Sequence, residues 1–158
     1  MKNLFFVMLM LFLSANCFAQ KGLISYDDIK YLLHNNLNHA DTFLVAKGYL
    51  ITQSRNDKKN RKYTQTLQGG THNNIGIRLD GKRLFIEIET NELSQYTIIR
   101  ESIAQYLIKD GMVADIQSYA VKDLGNIYIT VNDTAPYDPM RKDYDIQVVG
   151  DKHIIIYN

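Results

Sequence analysis

Ile75-Gly76-Ile77-Arg78-Leu79-Asp80-Gly81-Lys82-Arg83-Leu84-Phe85-Ile86-Glu87-Ile88 is the stretch on which the fold turns. Ile75, Ile77 and Leu79 alternate with other residues, and Leu84, Ile86 and Ile88 resume the alternation after Asp80-Gly81. A period of two marks strands with one buried face. An Asp-Gly pair accommodates positive φ and matches strand twist, so the stretch reads as a two-residue hairpin. With Asp80-Gly81 at the turn, Ile77 faces Leu84 and Ile75 faces Ile86, giving one apolar face.

Working towards the N-terminus, two more strands are expected, Tyr49 to Ser54 and Lys62 to Gln68. The polar loop Arg55 to Arg61 joins them, and Gly69-Gly70 breaks the chain before the hairpin. Two short helices precede them. Ser25 caps the first, with Asp27 and Asp28 at its positive end and Ile29, Leu32 and Leu33 on one face. Asn38 caps the second, from His39 to Lys47, with Ala40, Phe43 and Leu44 as its apolar stripe. Gly48 ends it in a left-handed conformation.

Towards the C-terminus, Asn91 caps a helix from Glu92 to Lys109. Its stripe is Tyr96, Ile99, Ile103, Tyr106 and Leu107. Gly111 stops it. Strands are expected at Met112 to Val121, Asn126 to Val131, Tyr144 to Val149 and His153 to Tyr157. Asn132 to Asp143 forms a long loop with Pro136 and Pro139, and Gly150-Asp151 turns a last hairpin.

The two halves share a pattern. Phe43-Leu44-Val45-Ala46-Lys47-Gly48-Tyr49 lines up with Tyr106-Leu107-Ile108-Lys109-Asp110-Gly111-Met112, each leading into four strands. The chain therefore reads as α+β, with two tandem repeats, residues 20–90 and 91–158. Each is a helix or helix pair packed on a four-stranded antiparallel sheet. This layout resembles that of the secreted β-lactamase-inhibitor proteins, and the resemblance is one of topology over the whole stretch after residue 19. It implies protein binding and assigns no residue to a site.

Residues 1–19 form a secretory leader: Lys2, an unbroken apolar run from Leu4 to Leu13, then Cys17-Phe18-Ala19 as a cleavage tripeptide. About ten apolar residues make a helix near 15 Å long, roughly half the hydrocarbon thickness of a bilayer. The mature chain is then exported, periplasmic or secreted, and starts at Gln20 with no cysteine. Lipid attachment at Cys17 is the alternative, against which Ser14 and Asn16 depart from the lipobox pattern. No later stretch reads as a transmembrane segment.

Eighteen Lys and Arg stand against seventeen Asp and Glu, a balance that argues against a nucleic-acid partner. All eleven tyrosines follow residue 19, and tryptophan is absent. Tyrosine suits half-buried strand faces and contact surfaces. Arg55, Lys58, Lys59, Arg61 and Lys62 make a basic cluster opposed only by Asp57. Together with Tyr63 and Tyr128 these residues are the candidate binding site, and Tyr49 and Tyr119 mark strands of the same kind.

Catalytic patterns are weak. His34, His39, His72 and His153 lack zinc spacing, and Asp133, Asp138, Asp143 and Asp145 fit no calcium loop. Glu87 and Glu89 alternate onto the outer face of a strand, where carboxylates are solvated rather than tuned for acid–base work. Gly69-Gly70-Thr71 lacks the lysine of a phosphate loop. No metal, cofactor or catalytic residue is assigned. The expectation is an exported, non-enzymatic module that binds another protein. The alternative is a small envelope enzyme acting on a glycan or small molecule through a site assembled from distant residues.

Overall fold

A computed structural model describes residues 22–52, 59–67, 69–81, 83–108, 116–133 and 142–154. The leader, Arg55, Lys58, Gly111 and the loop residues 134–141 lie outside them. Helix α1 (Tyr26–His34) starts as its sequence predicts. Ser25 accepts from the Asp28 amide while the Asp28 carboxylate accepts from the Ser25 amide, a reciprocal cap. Helix α2 (Leu37–Ala46) begins two residues earlier than expected, because Asn36 rather than Asn38 is the cap. The Asn36 side chain accepts from the amides of both Asn38 and His39.

Strands β1 (Leu50–Ile51), β2 (Asn60–Thr66), β3 (His72–Asp80) and β4 (Arg83–Thr90) follow. Of the described residues of the first expected strand, Leu50 and Ile51 pair as a ladder and the Thr52 amide reaches Lys62 O at 2.9 Å, while Gln53 and Ser54 lie outside the described residues. β2 starts two residues early, taking in Asn60 and Arg61. The β3–β4 hairpin exists, but its turn is displaced. Asp80 pairs with Arg83, so Asp80 belongs to the ladder rather than to the turn, which follows it with Gly81 at φ +61°. Ile77 therefore faces Ile86, and Ile75 faces Ile88. Moving the turn by one residue shifts each partner by two, so every side chain keeps its face. Ile75, Ile77, Ile86 and Ile88 are all buried. At roughly 2 kcal/mol each, exposing these four would cost about as much as a small domain's whole stability.

Helix α3 (Leu93–Ile103) ends well before Lys109. Glu92, not Asn91, is its cap, and a single 3-10 turn (Ala104–Tyr106) follows. The stripe cannot continue because the backbone at Leu107 is already in the sheet: Leu107 bridges Tyr119, and the Ile108 amide donates to Ser118 O at 2.9 Å. Strands β5 (Ile116–Val121), β6 (Gly125–Asp133) and β7 (Lys142–Gly150) complete the described elements. Gly150 closes β7 instead of turning a hairpin, and Asp151–Ile154 is a turn in which the Ile154 amide donates to Asp151 O at 3.1 Å.

The fold is α+β. Its strands do not separate into two four-stranded sheets. Among the described residues they form one antiparallel sheet of seven, in the order β1-β2-β3-β4-β7-β6-β5. The order is symmetric about the central β4–β7 pair. Outward from it run β3, β2 and β1 on one side, and β6, β5 and the Leu107 bridge on the other. The core includes Ile29, Leu32, Leu33 and Leu44 of the first two helices, Ile99 and Ile103 of α3, and the inward side chains of β2–β7. The outward residues of those strands are not among the core.

Candidate functional site

The cross-strand register brings one residue from each of six strands into a row on the face opposite the described helices: Lys62, Gly76, Glu87, Gln147, Tyr128 and Ser118. A parallel row is Thr64, Asn74, Glu89, Asp145, Thr130 and Ile116, and a third contains Asn60, Arg78, Phe85 and Val149. The face is chemically mixed. The Arg78 guanidinium lies 4.9 Å from the centre of the Phe85 ring, a cation–π contact between cross-strand partners. Thr64 Oγ1 donates to Asn74 Oδ1 at 2.7 Å, and Gln147 Nε2 donates to Asp145 Oδ2 at 2.8 Å.

Two grooves open on this face. One, of about 470 Å³, is bordered by Lys62, Gly76, Arg78, Phe85, Glu87 and Val149, among others. The other, of about 260 Å³, is bordered by Thr52, Lys62, Asn74, Gly76, Glu87 and Glu89. Burial, then the charges of Asp145 and Glu89, hold the Glu87 carboxyl above its ordinary value, against the pull of Lys62 and Arg78. An acid raised in the folded state costs nothing below its unfolded pKa. The cost builds as pH rises towards the folded value and is complete above it. Glu87→Gln is therefore expected to be more stable than the parent at pH 7, by about 0.5 kcal/mol for a solvent-screened surface charge. That advantage should vanish as pH falls through the raised Glu87 value into the ordinary glutamate range. Thermal unfolding of both proteins at pH 7 and pH 4 measures it, and an equal gain at both pH values would contradict it.

The structure divides the residues the sequence grouped together. Lys62 and Tyr128 share the open face and the same row, four strand spacings apart, about 19 Å. Lys59 precedes β2 and is exposed. Arg61 and Tyr63 point the other way, into the protein. Arg61 is 6% exposed with Nε 3.3 Å from Asp41 Oδ1, and the buried Tyr63 hydroxyl donates to Asp41 Oδ1 at 2.8 Å. Burial and the bond to the Asp41 carboxylate push the Tyr63 hydroxyl well above the usual tyrosine value. Tyr49 and Tyr119 are buried as well. The strand tyrosines thus mostly build the core, with Tyr128 the exception on the open face. From sequence, Arg78, Phe85 and Gln147 are missed and Asp145 is weighed only as a calcium ligand, although Asp143-x-Asp145-x-Gln147 carries the alternation that puts the last two outside.

The other concentration of polar side chains is internal. Gln95 is fully buried on α3, one turn ahead of Ile99. Its amide accepts from Ile24 N and donates to Ile24 O, both at 2.7 Å. Asn73 Nδ2 donates to Gln95 Oε1 at 3.1 Å and to the Tyr49 hydroxyl at 3.3 Å. Tyr49 in turn donates to Gly22 O at 2.8 Å, and the Thr90 hydroxyl is in short contact with Asn73 Oδ1. Burial lifts the Tyr49 hydroxyl far above its ordinary value despite its bond with Asn73. This network fastens residues 22–24 to α3 and, through Asn73 and Thr90, to β3 and β4. It is sealed from solvent, so its role is structural.

Among the described residues, no group of three or more His, Cys, Asp or Glu is placed to hold a metal ion. No helix there is long and apolar enough to cross a membrane. No family model matches the chain, and no curated protein or solved structure does either.

Proposed function

We propose that this is an exported binding module whose ligand is another protein, engaged by the face of the sheet opposite the described helices. The observation that carries the reading is the asymmetry of that sheet. One face is sealed by helices. The other spans six strands and combines an aromatic surface at Phe85 and Tyr128, amides at Asn74 and Gln147, and charges of both signs at Lys62, Arg78, Glu87 and Glu89. Mixed polar and aromatic composition of this kind characterises protein contact surfaces. The layout likeness to the secreted β-lactamase-inhibitor proteins points the same way. We also infer that the halves are repeats of one unit. The symmetric strand order supports this, with Leu107–Ile108 as the counterpart of β1 rather than part of a helix aligned with Phe43–Ala46.

Site-specific photo-crosslinking tests the reading. A crosslinker at Thr130 or Gln147, on the open face, should trap a defined envelope protein in the source cell. One at Val45, exposed on α2, should trap none. Crosslinks from Val45 alone, or from no position, would count against the open face as the binding surface.

A further inference from the structure

The open face is interrupted where β3 crosses its middle. Gly76 places no side chain between Lys62 of β2 and Glu87 of β4, its partners on either side. Both grooves are bordered by Lys62, Gly76 and Glu87, so they are the two ends of one trough along β3. The backbones of its walls stand two strand spacings apart, about 10 Å, and the Glu87 carboxylate leans in to 3.5 Å from where a Gly76 Cβ would stand.

The walls differ in charge. Lys62 stands on one. Glu87 and Glu89 stand on the other, with Asp145 directly opposite Glu89 on β7. Like charges directly opposite each other on a sheet are destabilising. None of these three carboxylates is in an ion pair among the described residues. Asp145 Oδ1 is buried without a hydrogen-bond partner. Beside them, Phe85 and Val149 supply apolar surface at one end of the trough, where the Arg78 guanidinium lies against the Phe85 ring. Three carboxylates on this wall and its β7 neighbour outnumber the two exposed cations beside them, Lys62 and Arg78, so the trough favours a long side chain with an apolar stem and a cationic tip. A neutral saccharide would leave the carboxylates crowded, and an anion would be repelled.

We propose that the trough receives an extended segment of the partner protein, with a Lys or Arg stem lying over Gly76 and its charged end among Glu87, Glu89 and Asp145. The inference rests on the protein-binding reading and names the chemistry that the partner must present.

The test uses the isotope-labelled exported chain, with amide shifts followed by NMR. The probes are a nine-residue alternating Thr/Val peptide with one central Lys, the same peptide with norleucine or Glu at that position, and cellohexaose. The Lys peptide should shift the amides of Gly76, Glu87 and Asp145 saturably. Norleucine, Glu89→Gln or Asp145→Asn should each weaken binding at least about tenfold, the scale of one charge-assisted contact. Gly76→Val should abolish binding by filling the trough. A Cβ there would sit 3.5 Å from Glu87 Oε2, ordinary contact, so the first added carbon is accommodated, and a melting curve of the variant accompanies the titration. Equal binding of the norleucine and Lys peptides, shifts on another face, no binding by any peptide, or shifts with cellohexaose alone would overturn the proposal. A partner crosslinked at Thr130 whose capture ignores Glu89→Gln and Asp145→Asn would overturn the trough assignment and leave the protein-binding reading standing. Loss of all crosslinks on the open face would remove both.

Discussion

Gln95→Ala should lower the stability of the protein by about 4 kcal/mol, and its melting temperature by roughly 12 °C. Ile24 N and Ile24 O lose their partner at once, and Asn73 Nδ2 loses one of its two acceptors, keeping the Tyr49 hydroxyl. Each orphaned buried group costs about 1–3 kcal/mol, against a total of about 5–15 kcal/mol for a domain of this size. The damage should not stay local. Ile24 is fully buried in the core, and Asn73 also holds Tyr49, which holds Gly22. Gln95→Met separates shape from bonding, since it fills the same space and makes none of the three bonds, and it should lose nearly as much as the alanine variant. Gln95→Glu adds a pH signature. A carboxylate would face Ile24 O without a proton to donate, so the buried acid would be raised well above its unfolded value. Q95E should therefore be weakest at neutral pH and regain stability as pH falls through the raised folded value, where the protonated acid again donates. Urea unfolding of the three variants at pH 7 and pH 5 measures all of this. A loss below about 1 kcal/mol in Gln95→Ala would mean that water enters and replaces the amide.

Gln95 also illustrates what the sequence conceals. The α3 stripe was readable at Tyr96, Ile99 and Ile103, yet the buried position one turn before Ile99 is 95, where a glutamine reads as solvent-facing. Only a partner 71 residues away makes its burial tolerable. Local rules succeeded where the determining contacts are local. The Ser25 cap is set within four residues, and the apolar face of β3–β4 survived a misplaced turn because period-two alternation fixes the face independently of the partner. They failed where another element captured the backbone. Leu107 scored as helix by spacing but was taken by β5, and Asn60-Arg61 scored as loop but was drawn into β2, with Arg61 reaching Asp41. The same alternation could have separated Arg61 and Tyr63 from Lys62 in advance, since adjacent strand residues face opposite ways. Reading them as one charged cluster ignored that rule. The trough was beyond reach for another reason. Its acidic side is complete only because β4 pairs with β7, which sets Glu89 opposite Asp145 across 56 positions of chain.

Gly125→Ala should be still more damaging than the Gln95 change, at about 5 kcal/mol or more, with unfolding or insoluble expression as the practical outcome. Gly125 opens β6 at φ +116°, a conformation that residues with a Cβ rarely adopt. The space is closed as well. An added Cβ would collide with Val149 O and would lie 2.7 Å from Asp151 N and 3.0 Å from Gly150 C. All three are backbone atoms, so no rotamer change relieves the overlap. Relief would require parting β6 from β7, whose ladder runs unbroken from the Gly125–Gly150 pair to Asp133–Lys142. Because Val121 pairs with Gly125 as well, β5 would move too, and with it Tyr128 and Ser118 on the open face. Gly81→Ala is the matched control. Gly81 also has positive φ but nothing within 4 Å of an added Cβ, so it bears the conformational cost alone, about 1–2 kcal/mol. Circular dichroism melts of both variants decide between strain and collision. If the two melt together, dihedral strain alone accounts for Gly125. If Gly125→Ala falls far below Gly81→Ala, the close approach of β5, β6 and β7 is what the glycine permits, and the far half of the binding face depends on one missing methyl group.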